Sequence, residues 1–269
     1  MDIFSVRPIV DWSNLLGNLK RLVLHDATVV NETELVLMLK QCVSLRSLTL
    51  KHARDVFISG GFLASDQDQK DVFDSLKNLV QLDLSNNSPY LSDRLFNRII
   101  KCSLNIEDFI LTETKILSHS GIYKKYYPES VKDFNSPSVL TWRNIFRFIT
   151  ERESVLKKIN FYNSNVSSGG FLELGRLSNL ELKEINVGKC CDITQDALLD
   201  FCQNQGQSLK YLNIDWCRRV MVDNPTKILA LFEHLNKIQT ISMKGISAPK
   251  GTKDCFQHMD SLVALDISY

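Results

Sequence analysis

One short hydrophobic pattern recurs along most of the chain, and it limits the folds that the chain can adopt. The pattern is L-x-x-L-x-L with conservative variants. It begins nine times in the 269 residues, at Leu19, Leu45, Leu79, Ile106, Leu156, Leu182, Leu209, Ile238 and Leu262. Most successive starts lie 24 to 29 residues apart, and two intervals are lengthened to 34 and 50 residues. A repeat of this length is typical of stacked strand-and-helix units.

The position eight residues after each start supports the same interpretation. It holds Ala27, Ala53, Asn87, Thr114, Ser164, Cys190, Cys217 and Ile246. Seven of these eight residues are small or are asparagine. A bulky side chain would spread the turns apart there, whereas an asparagine or cysteine side chain can hydrogen-bond the neighbouring backbone. The pattern therefore predicts an inward turn after each strand.

Amphipathic segments of helical period separate the strands. The segment after Asn31 places Leu35, Leu39 and Cys42 on one face. Later segments begin with residues suited to helix N-caps or to the first helical position, namely Ser92, Thr194, Asn224 and Pro225. One unit of strand, turn and helix cannot bury its leucine face alone, so the units must stack. We therefore predict an α/β solenoid with a parallel sheet on its concave face and helices on its convex face.

The cysteines indicate a subclass of this repeat. The stretch 182–217 resembles the cysteine-containing leucine-rich repeat, whose pattern is occupied or nearly occupied by Leu182, Ile185, Val187, Cys190, Ile193, Thr194, Asp196, Leu198 and Cys202. That subclass is similar to the substrate-binding domain of F-box leucine-rich-repeat proteins. The resemblance implies a right-handed horseshoe that holds a protein substrate. In that family an F-box binds the Skp adaptor of a cullin ubiquitin ligase.

The repeats also predict the domain organisation. Residues 19–269 form the solenoid of about nine strand units, and residues 1–18 form an N-terminal cap or linker. Insertions are expected near 54–71 and 115–140, within the two long intervals. The segment before Leu19 is too short for an F-box, and the sequence stops as its ninth strand ends. We therefore expect either a fragment of a longer F-box protein or a free-standing repeat protein.

Composition excludes several classes of partner. The chain has 32 basic and 31 acidic residues, a net charge of +1, whereas nucleic-acid and anionic-membrane binders usually carry a basic excess. It contains no uninterrupted run of 18 apolar residues. Seven dispersed cysteines without a signal peptide favour reduced thiols in the cytoplasm or nucleus. We expect no nucleic-acid partner and no membrane association.

The sequence also lacks the common motifs of catalysis and metal binding. Cys190 and Cys191 are adjacent, and no C-x-x-C or H-x-x-x-H pair lies near them, so their spacing does not fit a zinc site. A phosphate-binding loop, a zinc-protease motif and a G-x-S-x-G nucleophile motif are absent. We predict a protein that is not an enzyme and has no cofactor or metal.

The candidate binding residues are those that alternate with the leucines, because they point to the concave face of the sheet. Three successive repeats carry asparagine at one height, and aromatic and charged residues flank them. The predicted partner-binding set is Lys158, Asn160, Tyr162, Asn186, Tyr211, Asn213, Asp215 and Trp216. Amides and aromatics of this kind are frequent at protein interfaces. The alternative is an ordinary polar face, with an asparagine ladder bonded to itself and Trp216 folded over the edge.

The two insertions are a second kind of candidate. The longer one contains Tyr123, Lys124, Lys125, Tyr126 and Tyr127, a mixture of cations and aromatics that a peptide or nucleic acid could contact. A solvated surface loop is the alternative. The shorter stretch, 59–71, is polar and is expected to be a flexible loop.

These observations favour a recognition domain that holds a protein for ubiquitin transfer by a Skp-cullin-F-box ligase. The Skp adaptor and cullin are expected partners only where an F-box lies outside this sequence. The other hypothesis is a free-standing leucine-rich-repeat scaffold, inhibitor or assembly factor. An upstream F-box in the full transcript would decide between them.

Overall fold

A computed structural model describes residues 13–26, 30–117, 135–221, 225–246, 256 and 259–268 of the chain. The chain divides into two units, of which the first takes its residues from Met1–Ile110 and His119–Phe148 and the second from Leu111–Ser118 and Ile149–Tyr269. The α-helices are α1 (Ser13–Gly17), α2 (Glu32–Gln41), α3 (Arg54–Phe57), α4 (Asp66–Leu76), α5 (Asp93–Cys102), α6 (Trp142–Glu151), α7 (Ser168–Gly175), α8 (Gln195–Gln205) and α9 (Pro225–Phe232). The strands are β1 (Arg21–His25), β2 (Ser47–Lys51), β3 (Gln81–Asp83), β4 (Asp108–Ile110), β5 (Ile116–Leu117), β6 (Leu140–Thr141), β7 (Lys158–Asn160), β8 (Glu184–Asn186), β9 (Tyr211–Asn213), β10 (Thr240–Ser242) and β11 (Ala264–Asp266). A short 3₁₀ helix spans Arg218–Met221.

The second leucine of each repeat sets the strand register. In the first unit β1 to β4 pair in parallel and in chain order, with Leu22, Leu48, Leu82 and Phe109 side by side. In the second unit β7 to β11 pair in the same way, aligning Ile159, Ile185, Leu212, Ile241 and Leu265. Except for Leu265, these side chains are buried in the core. The predicted α/β leucine-rich-repeat fold is confirmed.

The predicted N-cap residues that the structure describes lie at the starts of helices. Asn31 forms a capping box with Glu34 at the start of α2. The side chains of Ser92 and Thr194 accept hydrogen bonds from backbone N–H groups in the first turns of α5 and α8. Asn224 lies outside the described residues, and Pro225 is the first residue of α9. Within each unit neighbouring helices then pack on one another.

The prediction of a flexible loop over 59–71 is wrong. Phe62 and Leu63 are buried, and the ring of Phe62 lies 6.0 Å from that of Phe57 in an edge-on arrangement. Ser65 then caps α4, which includes the rest of the stretch. The two apolar residues pull this polar segment onto the core, because their burial removes apolar surface from water. Tyr123, Lys124, Lys125, Tyr126 and Tyr127 of the longer insertion lie outside the described residues. None of the described helices is both long enough and apolar enough to cross a membrane.

Candidate functional site

A residue with left-handed backbone conformation follows the strand in each of the first eight repeats. Seven residues after the repeat start, φ lies between 52° and 66° at Asp26, His52, Asn86, Glu113, Asn163, Lys189, Trp216 and Gly245. This conformation turns the N–H of each residue toward the next repeat. For example, Lys189 N donates to Asp215 O at 2.6 Å and Trp216 N donates to Lys244 O at 2.8 Å. The frequency of Asn, Asp and Gly at this position is a sequence signal for a left-handed backbone conformation, and our sequence prediction did not include it.

The position after this residue closes the turn, as its small residues predicted. In the second unit Cys190 Sγ donates to Phe161 O and Cys217 Sγ donates to Val187 O, both at 3.1 Å. Burial raises the pKa of the Cys190 thiol to about 12 and also raises the pKa of Cys217. Both groups are therefore neutral thiols at physiological pH. Within the described part of the chain, no group of three or more His, Cys, Asp or Glu side chains could hold a metal ion.

The asparagines of the predicted site stand side by side in β7, β8 and β9. The Oδ1 atom of each accepts a hydrogen bond from the backbone N–H two residues later. These distances are 3.0 Å for Asn160, 3.1 Å for Asn186 and 2.9 Å for Asn213. The oxygens bind the local backbone in Asx turns and do not form a ladder with one another. Each oxygen therefore shapes the end of its own strand.

Asn213 and Asp215 form a buried network, with exposed fractions of 8% and 7%. Asn213 Nδ2 donates to Asp215 Oδ2 at 3.1 Å and to Tyr211 Oη at 3.3 Å. Asp215 Oδ1 accepts from Ser242 Oγ and from Lys244 N, both at 2.7 Å. The amide and the carboxylate that we expected to offer hydrogen bonds to a partner thus bond within the chain. Their role in the site is to hold Tyr211 and the ends of β9 and β10 together.

The ring of Tyr162 lies against the backbone of a glycine in the next repeat. A Cβ atom at Gly188 would come within 2.8 Å of Tyr162 Cδ2 and within 2.6 Å of Asn213 Oδ1. Only a glycine leaves room for the ring in this place. The Lys189 ammonium lies 5.3 Å from the ring centroid, at a distance typical of a cation–π contact. The ring is therefore held from two sides.

Trp216 repeats this arrangement two repeats further along the second unit. A Cβ atom at Gly245 would lie only 2.3 to 2.6 Å from three carbons of the indole, and Gly245 has a φ of 66°. The indole thus covers the Gly245 backbone, which agrees with the alternative that Trp216 is folded over the edge. Even so, 44% of Trp216 stays exposed. The ring is fixed on one side and open on the other.

All eight predicted site residues belong to the second unit, on β7 to β9 and the turns that follow them. Lys158 pairs with Glu184 across neighbouring strands, with 2.6 Å between Nζ and Oε1. Tyr211 is half-buried beside Asn213. The sequence did not reveal the roles of Gly245 and Lys189, because each residue contacts an aromatic side chain of the preceding repeat.

Comparison with known proteins supports the fold. No protein-family model matches the chain, and no curated protein matches it. Among solved structures, the Rad7 and Elc1 complex from yeast matches with 15% identity and a TM-score of 0.48, covering 91% of this chain and 68% of that one. The leucine-rich-repeat protein LegL7 from Legionella pneumophila matches with 14% identity and a TM-score of 0.51, covering 94% and 77%. An internalin from Listeria monocytogenes matches with 12% identity and a TM-score of 0.43, covering 95% and 62%. The match to LegL7, at 14% identity, is a likeness of fold alone.

Proposed function

We propose that the chain is a protein-recognition domain whose binding site is the recognition face, defined as Lys158, Asn160, Tyr162, Asn186, Tyr211, Asn213, Asp215 and Trp216. The observation that carries this proposal is the placement of two aromatic rings on glycine backbones, Tyr162 on Gly188 and Trp216 on Gly245. A ring that is fixed before binding loses little conformational freedom when a partner covers it. Exposed aromatic anchors of this kind dominate the binding energy of many protein interfaces.

The polar members of the recognition face have a different task. The Asx-turn oxygens of Asn160, Asn186 and Asn213 and the carboxylate of Asp215 bond to the chain itself. They fix the strand ends from which the aromatic side chains project. The side chains of Tyr162, Tyr211 and Trp216 contact the partner directly. The Nδ2 groups of Asn160 and Asn186 donate hydrogen bonds to it.

We further propose that the bound protein is a substrate of a Skp-cullin-F-box ubiquitin ligase. The support is the resemblance of 182–217 to the cysteine-containing repeats of F-box proteins. The recognition face would hold the substrate in the cytoplasm or nucleus, while other subunits carry out ubiquitin transfer. The Skp adaptor and cullin would bind through an F-box outside this sequence. Co-purification of the full-length product with the Skp adaptor tests this, and a full-length product that never binds it would favour the free-standing scaffold.

The recognition face is tested by affinity capture followed by mass spectrometry and titration of the partner. Replacing Tyr211 and Trp216 together by alanine should weaken binding by at least about 2 kcal/mol, because both rings lose contact area. Phe73→Ala is the matched control, since it removes an exposed aromatic ring from α4 of the first unit. The control should bind normally, and the circular dichroism spectra of both variants should show that they remain folded.

Normal binding by the double variant would contradict the proposal. Deleting residues 116–138 tests the competing assignment to the longer insertion. Loss of binding after this deletion, with the double variant unaffected, would move recognition to that insertion.

A further inference from the structure

The recognition face carries an excess of hydrogen-bond donors over acceptors. Its three asparagine oxygens are occupied by backbone N–H groups two residues later. The corresponding Nδ2 groups of Asn160 and Asn186 donate to no described residue, and both side chains are half-exposed. An Asx turn uses the oxygen of the amide and leaves its two N–H donors toward solvent. Two neighbouring strands thus present the same type of group.

The main carboxylate of the face is not available to a partner. Asp215 is buried, and its two oxygens accept from Ser242 Oγ, Lys244 N and Asn213 Nδ2. The other carboxylate on these strands, Glu184, is paired with Lys158 at 2.6 Å. Both acidic groups are therefore neutralised or occupied within the unit.

A cation stands beside one of the two fixed rings. Lys189 is exposed, and its ammonium contacts the Tyr162 ring and no carboxylate of the described residues. Its backbone N–H bonds to Asp215 O, which directly precedes Trp216 in the chain. Lys189 and Trp216 therefore occupy equivalent positions in adjacent repeats. The Lys189 ammonium, which has three donors, thus stands in the repeat between those that carry Tyr162 and Trp216.

We infer that the recognition face, together with Lys189, binds an acidic segment of its protein partner. Side-chain carboxylates of that segment accept hydrogen bonds from Lys189 and from the amides of Asn160 and Asn186, while apolar side chains cover Trp216. Complementary charge and donor–acceptor matching set the choice among partners. A partner surface that also carries donors would leave the donors of this face without hydrogen-bond acceptors. This inference rests on the proposed function and specifies its partner.

The test is selection of a random-peptide display library on the immobilised wild-type chain, followed by titration of the selected peptides. We expect enrichment in Asp and Glu. Converting these residues to Asn and Gln in a synthetic peptide should weaken binding at least tenfold. Lys189→Gln should weaken binding several-fold, and added salt should do the same. Lys101→Gln, which removes an exposed cation from α5 of the first unit, should have no effect.

The possible failures are distinguishable. Neutral or basic peptides that lose binding in the Tyr211→Ala, Trp216→Ala double variant would overturn the acidic segment and leave the recognition face in place. A selection that yields no peptide sensitive to the double variant would overturn both proposals. Acidic peptides that bind Lys189→Gln as well as the wild type would also contradict the inference.

Discussion

One turn after a repeat strand of the first unit is closed by an asparagine, Asn87, whereas two such turns of the second unit are closed by cysteines, Cys190 and Cys217. Asn87 donates to two backbone carbonyls, at 2.6 and 2.9 Å, and its Oδ1 accepts from Ala53 N at 2.7 Å. Cys217 instead donates from Sγ to Val187 O at 3.1 Å, and its sulfur accepts from the backbone N–H of Cys190. Thiols are weak donors. The turn at Asn87 therefore depends on polar bonding, and the turn at Cys217 depends more on the packing of a small apolar side chain.

The outward faces of the two units differ in a related way. In the first unit Ser47 Oγ donates to Gln81 Oε1 at 2.6 Å, and Gln81 Nε2 donates to Asp108 Oδ2 at 2.7 Å. These side chains satisfy one another across three strands. At the same strand position of the second unit Lys158 pairs with Glu184, but two residues further along these strands the Nδ2 donors of Asn160 and Asn186 stay open, and the Trp216 ring is exposed on one side. The repeat scaffold is shared, so the difference lies in the residues between the leucines.

The largest expected effect is on the asparagine turn. Asn87→Ala should lower the free energy of unfolding by about 3 kcal/mol or more, because it leaves buried backbone groups without a partner, and each costs about 1–3 kcal/mol. Urea denaturation measures this change. A loss below about 1 kcal/mol would mean that the two kinds of turn do not differ as described.

The cysteine turn should respond less. Cys217→Ala should lower the free energy of unfolding by about 1–3 kcal/mol, through lost packing and lost weak hydrogen bonds of the sulfur. The same urea denaturation, repeated with a chelator, should give the same value for the wild type. A chelator-induced unfolding transition would instead identify the thiols as metal ligands.

The smallest effect concerns the ring support of the recognition face. Gly245→Ala should lower the free energy of unfolding by about 1 kcal/mol, because alanine is strained at a φ of 66° and its Cβ displaces the indole. Iodide quenching of tryptophan fluorescence should increase. Gly169→Ala is the control, since its added Cβ meets nothing within 4 Å in α7, and it should stabilise the chain by about 0.5–1 kcal/mol. Unchanged quenching in Gly245→Ala would show that the glycine does not hold the ring.

Much of the fold could be predicted because its signals are local. The leucine spacing gave the strand register, and Ser92 and Thr194 gave the helix starts. The stretch 59–71 could not be predicted in the same way. Its burial depends on Phe62 and Leu63, two apolar residues without periodicity. Isolated apolar residues become informative only when the surface that covers them is known.

The candidate site was predicted in position but not in bonding. The columns of asparagine and of aromatic residues were visible from the repeat period. The burial of Asp215 was not, because it depends on Ser242 and Lys244 in the next repeat. The roles of Gly188 and Gly245 likewise depend on a ring that belongs to the preceding repeat. A glycine in one sequence does not indicate which side chain fills the space beside it.

The sequence by itself therefore determined the repeat, the register of its strands and the small residues that close its turns. These properties follow from a period that each repeat must share with the neighbouring repeats in order to stack. The tertiary structure decided which polar atoms of the recognition face remain open and which rings are held in place. Those outcomes arise between residues of successive repeats, where a hydrogen bond or a close contact depends on distances of a few ångströms that the order of residues along the chain does not specify.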